Sequence, residues 1–220
     1  MKNLNQQILN FHFEQNFKDQ DFYVSSSNEN SFNLLNSWPK WNKNFINLIG
    51  EKFSGKSHLI SIFLKKFNGI KIKSEDINND FLQNIKVYEN IVVEDLTEKI
   101  NEKLLFTLIN IIDQDNKYLI VTSRVPIVEL KFNLNDLNSR SANFILSQIE
   151  KPGDDLIYAL ILKNLSDRQI SIDKKLIDFI IKRIDRTYSK ISDFIYKIDE
   201  ISLKRKKPID FKIIKDALED

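Results

Sequence analysis

The chain has 220 residues, with 33 Lys+Arg against 31 Asp+Glu and a formal net charge of +2, so bulk basicity offers no argument for nucleic-acid binding. A hydrophobic content of 42% suffices for a packed core and excludes wholesale disorder, and the length fits one large domain or one domain with a small appendage. The absence of Cys excludes disulfides, thiolate metal sites and a Cys nucleophile, and with His12 and His58 as the only histidines a multi-His metal site is excluded too. The N-terminus is polar, with no small-residue cleavage site, and does not read as a secretory signal. No apolar run approaches the roughly 20 residues needed to span a bilayer. The expected compartment is the cytoplasm.

Short apolar runs follow in chain order: Phe45–Ile49, Ile70–Ile72, Ile91–Val93, Tyr118–Val121 and Phe144–Leu146. Runs of this length fit strands buried on both faces. Helical patterns lie between them, at Ser57–Phe67 and from Glu98 to about Ile112, where Leu104, Leu105, Leu108, Ile109 and Ile112 share one side. Strand alternating with helix predicts an α/β fold, a five-stranded parallel sheet covered by helices.

Pro152-Gly153, the one adjacent Pro-Gly pair, marks a boundary, and nothing after it reads as strand. Asp173 can cap a helix carrying Leu176, Ile177, Phe179, Ile180 and Ile184. Ile191, Phe194, Ile195, Ile198 and Ile201 form the apolar stripe of another, and Pro208 precedes a last short helix with Phe211, Ile214 and Leu218. The expected organisation is a tail over 1–20, a nucleotide-binding domain over 21–151 and an all-α lid over 152–220.

The strongest motif is Gly50-Glu51-Lys52-Phe53-Ser54-Gly55-Lys56-Ser57, which matches G-x-x-x-x-G-K-[ST] between a buried strand and a helix. Glycines let the backbone curl so that successive N–H groups face an anion, and the helix N-terminus adds partial positive charge. Gly50, Lys52, Ser54, Gly55, Lys56, Ser57 and His58 are the candidate nucleotide-binding residues. Lys56 would reach the β- and γ-phosphates of ADP or ATP, and the Ser57 hydroxyl would sit on Mg²⁺. His58 reads as a packing or nucleotide-adjacent residue rather than a base. Trp38 and Trp41 read as core or adenine-side packing. The run Ile91-Val92-Val93-Glu94-Asp95 ends an apolar strand in paired carboxylates, with Glu94 as the Mg²⁺ candidate and Asp95 as the group that polarises attacking water.

The order of phosphate loop, acidic strand, Thr122-Ser123-Arg124, Asn138-Ser139-Arg140 and helical lid resembles the AAA+ ATPases. Asp21-Phe22-Tyr23-Val24-Ser25-Ser26-Ser27-Asn28 resembles the opening of the DnaA family. Trp38-Pro39-Lys40-Trp41, Asp136-Leu137-Asn138-Ser139-Arg140, Pro152-Gly153-Asp154-Asp155, Asp167-Arg168-Gln169 and Arg183-Ile184-Asp185-Arg186 resemble segments of the Hda-type (HdaA-like) regulators within that family. The resemblance covers nearly the whole chain. It implies a replication-initiation regulator that acts with the DNA polymerase sliding clamp and promotes hydrolysis of ATP bound to DnaA. Arg140 would be an arginine finger acting in trans. Gln7, Ile8, Leu9 and Phe11 resemble a clamp-binding peptide, against the alternative of a frayed or merely packing tail.

DnaA carries a DNA-binding domain after its lid, and this chain ends at Asp220. The expectation is therefore that DNA contact is indirect, through DnaA and the clamp, with self-association left open. Two positions depart from the family. Arg124 stands where an acidic sensor is expected, leaving Thr122 and Ser123 as small polar candidates. Ser189, with Lys190 beside it, stands where a lid arginine is expected. These changes and Glu94 bear on the chain's own hydrolysis, not on nucleotide binding. The rival expectation is a replication ATPase of the initiator or helicase-loader type that turns over ATP itself. A small-molecule P-loop kinase fits less well, because such kinases insert their lid within the core. The run Lys204-Arg205-Lys206-Lys207 reads as a solvated helix end, with weak DNA contact as the alternative.

Overall fold

The computed structural model of the chain describes residues 22–219. The positions Gln7, Ile8, Leu9 and Phe11, and the tail as a whole, lie outside these residues.

Helix α1 (Glu29–Asn36) comes first, then β1 (Phe45–Ile49), α2 (Lys56–Lys66), β2 (Gly69–Lys73), α3 (Asn79–Asn84), β3 (Asn90–Leu96), α4 (Glu102–Gln114), β4 (Tyr118–Ser123), α5 (Asn135–Ser141) and β5 (Ile145–Gln148). The strands form one sheet in the order β2-β3-β4-β1-β5, and every pairing is parallel. All of β1 is buried, Asn47 included, as a mostly apolar strand is when helices cover both faces of the sheet. Successive side chains alternate between the faces. Ile91 and Val93 pack with Leu105, Leu108, Ile109 and Ile112 of α4. Val92 packs on the opposite side with Ile46, Leu48 and Ile120 of the sheet, Leu59, Ile60 and Phe63 of α2, and Leu35 of α1.

Four helices follow: α6 (Asp154–Asp167), α7 (Lys174–Ile181), α8 (Tyr188–Arg205) and α9 (Phe211–Glu219). They share an apolar cluster that includes Ile157, Ile161, Ile177, Ile180, Phe194, Ile198 and Ile214. Asp173 caps α7 by accepting the Lys175 N–H at 2.7 Å, and Thr187 caps α8 through the Lys190 N–H at 3.3 Å. Such caps are worth about 0.5–2 kcal/mol each. Among the described residues no helix is long and apolar enough to cross a membrane.

Several elements differ from the expectation. Helix α4 begins at Glu102 rather than Glu98, because the Asn101 side chain accepts the Leu104 N–H at 3.3 Å and fixes the start there. Strand β5 starts at Ile145, while Phe144 turns into the core against the Phe45 ring, 5.3 Å between centroids. Trp38 and Trp41 are core packing and not an adenine wall. They meet Tyr118, the first residue of β4, at the opposite end of the sheet from the phosphate loop. The basic run is a solvated helix end. Lys204 pairs with Glu200, Arg205 with Asp216, and Lys206 leaves the helix at φ 51°.

One buried polar residue within the sheet pins the strand ends that carry the site. Asn47 is fully buried on β1. Its amide donates to Ser123 Oγ at 2.8 Å and to the Val121 carbonyl at 3.3 Å, and its Oδ1 accepts the Ile127 N–H at 2.7 Å. Replacing Asn47 by Leu leaves the Ile127 N–H buried without an acceptor, at about 1–3 kcal/mol for such a group. Urea denaturation should show Asn47→Leu destabilised by about 2–3 kcal/mol with an unchanged slope. Equal midpoints would mean that the network is dispensable.

Candidate functional site

The loop from Gly50 to Gly55 joins the carboxyl end of β1 to the first turn of α2. Its start is anchored by the Gly50 N–H, which donates to the Ser123 carbonyl at 3.1 Å. A Cβ on Gly50 would lie 2.5 Å from Ser54 Oγ, so any other residue there would have to displace the buried Ser54 hydroxyl. Gly55 sits at φ 92°, a left-handed conformation that side chains resist, and forms the N-cap of α2. No side chain caps this helix, so its leading N–H groups remain available to an anion.

Lys56 is buried, and its ammonium donates to the Gly50 carbonyl at 2.6 Å and the Glu51 carbonyl at 2.9 Å. Burial holds its pKa below the ordinary lysine value. Asp95 and Glu51 oppose that shift, and the Arg124 charge adds to it. Asp95 and Arg124, brought in by β3 and β4, thus share one electrostatic neighbourhood with Lys56. Ser54 Oγ is buried without a partner. Lys52 is exposed and lies over the Phe53 ring, 4.7 Å from its centroid. Ser57 and His58 are half-buried on the first turn of α2.

Strand β3 delivers both carboxylates, differently oriented. Register with β4 shifts between Val93 and Leu96, and Asp95 takes φ 56° within this irregularity. A bulge re-aims a side chain, and a non-glycine residue at positive φ persists only where its surroundings hold it. Here the Asp95 N–H donates to Thr122 Oγ1 at 3.0 Å and its carbonyl accepts from Ser74 Oγ at 2.7 Å. Asp95 is exposed, whereas Glu94 is buried on the same face as Val92, the face covered by α2. Glu94 Oε2 pairs with Lys71 Nζ at 3.0 Å, and Glu94 Oε1 is buried with no partner.

The sensor candidates are not equivalent. The Ser123 hydroxyl donates its one proton to the Val125 carbonyl at 2.6 Å and accepts from Asn47, so it has nothing left to offer a phosphate. Thr122 is buried and uses its oxygen on Asp95, keeping its proton. Lys190 is exposed on the first turn of α8. Arg140, near the end of α5, pairs with Asp113 of α4 at 2.8 Å, its side chain 36% exposed. The loop before α5 is held by Glu102, which accepts the N–H groups of Asn133 and Leu134, each at 2.9 Å. These bonds hold the Glu102 carboxyl below its usual range.

Sequence reading alone did not single out several residues around the loop. The Phe22 ring meets His58 edge-on at 5.3 Å, stacks on Phe32 at 5.9 Å and lies 3.4 Å from where a Cβ on Gly55 would stand. Tyr188 of α8 is buried and donates to the Glu150 carbonyl at 3.1 Å, and burial pushes its phenol pKa up. Phe22 falls in the segment that resembles the DnaA opening, but its place beside the loop does not follow from that; for Tyr188 the aromatic character is the available sign. Asn47, a polar residue within an apolar strand run, was the clearest missed signal.

Mg²⁺ takes hard oxygen donors, commonly one or two carboxylates together with substrate phosphates. Among the described residues no group of three or more His, Asp or Glu could hold a metal by itself. Ser57 and Glu94 offer the right donors, and the partnerless buried Oε1 of Glu94 suits such an ion, although Lys71 occupies the other oxygen.

No family model matches the chain. In sequence it is similar to the chromosomal replication initiator protein DnaA of Borreliella afzelii, 23% identical over 206 residues, covering 81% of this chain and 42% of that protein. It is likewise similar to DnaA of Campylobacter jejuni, 25% identical over 232 residues, covering 93% of this chain and 52% of that protein. The chain thus spans about half the length of these relatives. In structure it resembles domain III of Thermotoga maritima DnaA, with a TM-score of 0.74 at 17% identity, covering 94% of this chain and 97% of that one. AMPPCP-bound DnaA from Aquifex aeolicus gives 0.69 at 19% identity over 89% of this chain and 70% of that one. A Thermotoga maritima RuvB mutant also gives 0.69, at 14% identity over 90% and 70%. The fold is therefore the α/β AAA+ fold, and the sequence similarity is distant homology to the AAA+ domain of the DnaA replication initiators.

Proposed function

We propose that this chain is a DnaA-related nucleotide-binding regulator of chromosomal replication initiation, one that holds ADP or ATP at residues 50–57 and acts on a partner rather than by its own turnover. The observation that carries this reading is a complete phosphate loop beside a compromised hydrolytic set. Gly50, Gly55, Lys56 and the uncapped start of α2 supply the anion cradle. Glu94 is tied to Lys71, the Ser123 proton is committed, and Arg124 and Ser189 occupy sensor positions. Ser57 and Glu94 would hold Mg²⁺, Phe22 and His58 would wall the site, and Thr122 and Lys190 remain the sensor candidates. The domain division at 151/152 belongs to the same reading, with the helical cluster of α6–α9 as the lid.

The partners are ATP-bound DnaA and the sliding clamp, the latter through Gln7, Ile8, Leu9 and Phe11, with DNA contacted through them. Arg140 acts in trans on the γ-phosphate at the DnaA interface. Its present partner does not forbid that role. An exposed ion pair such as Arg140–Asp113 is worth about 0–1 kcal/mol, so exchanging Asp113 for a phosphate costs little. An arginine finger is worth roughly 10³–10⁵ in rate.

One observation favours the second reading, an initiator or helicase-loader ATPase. Asp95 is held at positive φ in the irregular end of β3 and interacts electrostatically with Lys56, which suits a carboxylate that polarises water. Steady-state ATP hydrolysis by the isolated chain separates the two. The regulator should turn over far more slowly alone than DnaA does with the regulator and the clamp present.

Lys56→Ala should weaken ADP or ATP binding by at least about tenfold, since a charge-assisted phosphate contact is lost. Calorimetry that finds equal affinity would remove the nucleotide reading. Arg140→Ala should still dock on ATP–DnaA but leave its hydrolysis unstimulated, because the contact strengthens only as charge develops in the transition state. Arg140→Lys should rescue poorly, as Lys lacks the planar fork. Full stimulation by Arg140→Ala in a DnaA ATPase assay with clamp and DNA would show that Arg140 is a surface residue.

A further inference from the structure

Strand β2 lies at the edge of the sheet next to β3, with Lys71 opposite Val92 and Lys73 opposite Glu94. It alternates apolar and basic residues. Ile70 and Ile72 pack against the α4-side core, which places Lys71 and Lys73 on the α2 face with Val92 and Glu94. Lys73 is 3.9 Å from Glu75, a loose exposed pair. Lys71 instead leans across the ladder to Glu94 at 3.0 Å, its side chain 44% exposed and that of Glu94 12%. Glu94, whose other oxygen is buried without a partner, therefore already has a tethered cation on one oxygen. A divalent ion arriving at the other oxygen meets that ammonium as a like charge.

We propose that Lys71 is a built-in counter-cation for Glu94, so that the site retains a nucleoside di- or triphosphate with little help from Mg²⁺. This inference rests on the nucleotide reading of residues 50–57. The consequence for binding has a definite sign. Without a cation of either kind, Glu94 would present an uncompensated charge on the sheet face that α2 covers and would repel phosphates held at the start of that helix. With Lys71 in place that repulsion is cancelled permanently, whether or not a metal is present. Removing Lys71 makes Glu94 dependent on the metal and restores an ordinary requirement for it.

The test is equilibrium binding of ADP and of ATP, by calorimetry, with excess Mg²⁺ and again with excess EDTA. The wild-type affinities should differ by less than about threefold between the two buffers, and those of Lys71→Met by at least about tenfold, weaker in EDTA. Lys71→Arg should behave as the wild type. Lys71→Met combined with Glu94→Gln should lose the metal dependence again, because the charge being compensated is gone. Lys71 sits on an edge strand with its side chain partly exposed, so these substitutions leave the apolar core intact, and Lys71→Gln supplies a second neutral variant. A wild type that loses nucleotide on chelation as strongly as Lys71→Met overturns the inference while leaving the nucleotide reading in place. If wild type and Lys56→Ala fail equally to bind in both buffers, the nucleotide reading itself fails and this inference goes with it.

Discussion

A buried ammonium with only backbone carbonyls for partners is an unstable arrangement unless something else in the structure holds it there. Lys56 is in that position. Burial disfavours its charge, two loop carbonyls accept its protons, and the carboxylates of Asp95 and Glu51 offset part of the cost. The loop is consequently poised. An arriving phosphate offers the ammonium a stronger acceptor than either carbonyl and meets the uncapped N–H groups of α2 at the same time. The geometry of Gly50 and Gly55, the anchoring of Gly50 on Ser123 and the bulge that lifts Asp95 toward this neighbourhood all serve the placement of one charge.

That placement depends on polar ties between strand ends rather than on apolar packing alone. Apolar contact fixes the layers but tolerates small slips along a strand. Hydrogen bonds do not. Asn47 joins β1 to β4 and to the turn after it. Thr122 joins β4 to the bulge of β3, and Ser74 joins the end of β2 to the same residue, Asp95. All of these lie at or toward the carboxyl ends of the strands, where parallel α/β sheets carry their ligands.

The sequence carried the layer architecture and the phosphate loop clearly, for identifiable reasons. Apolar runs such as Ile91–Val93, and Phe45–Ile49 with its single Asn47, announce strands buried on both faces, and scarce glycines make a paired-glycine loop conspicuous. Other features depend on register or backbone conformation and leave no local trace. The Lys71–Glu94 contact joins residues on neighbouring strands, and nothing in the sequence states that pairing. The φ of Asp95 follows from a bulge that an Ile-Val-Val-Glu-Asp-Leu run does not reveal. The start of α4 is another such case, because helical periodicity extends back over Glu98, while the Asn101 cap decides the boundary locally. The packing of Phe22 on His58 needs the chain to fold back across the first turn of α2.

The same fold-back also ties the helical bundle to the chain segment beside the loop. Ser25 and Ser27 share a hydrogen bond of 2.8 Å, and the Ser27 carbonyl accepts the Glu150 N–H at 2.8 Å. Tyr188 lies 3.5 Å from Ser27 Oγ and donates to the Glu150 carbonyl, so the first turn of α8 is bonded to the stretch that follows Phe22. Leu156 of α6 and Tyr188 of α8 belong to the apolar cluster of α2, not to the cluster that α6–α9 share among themselves. A displacement of the loop or of α2 by a phosphate would therefore act on α8 through two routes, one polar and one apolar. Interfaces built this way switch between discrete packings rather than deforming smoothly. The helix that carries Ser189 and Lys190 is thus mechanically tied to the loop, although neither residue has the reach and fork of the arginine expected there.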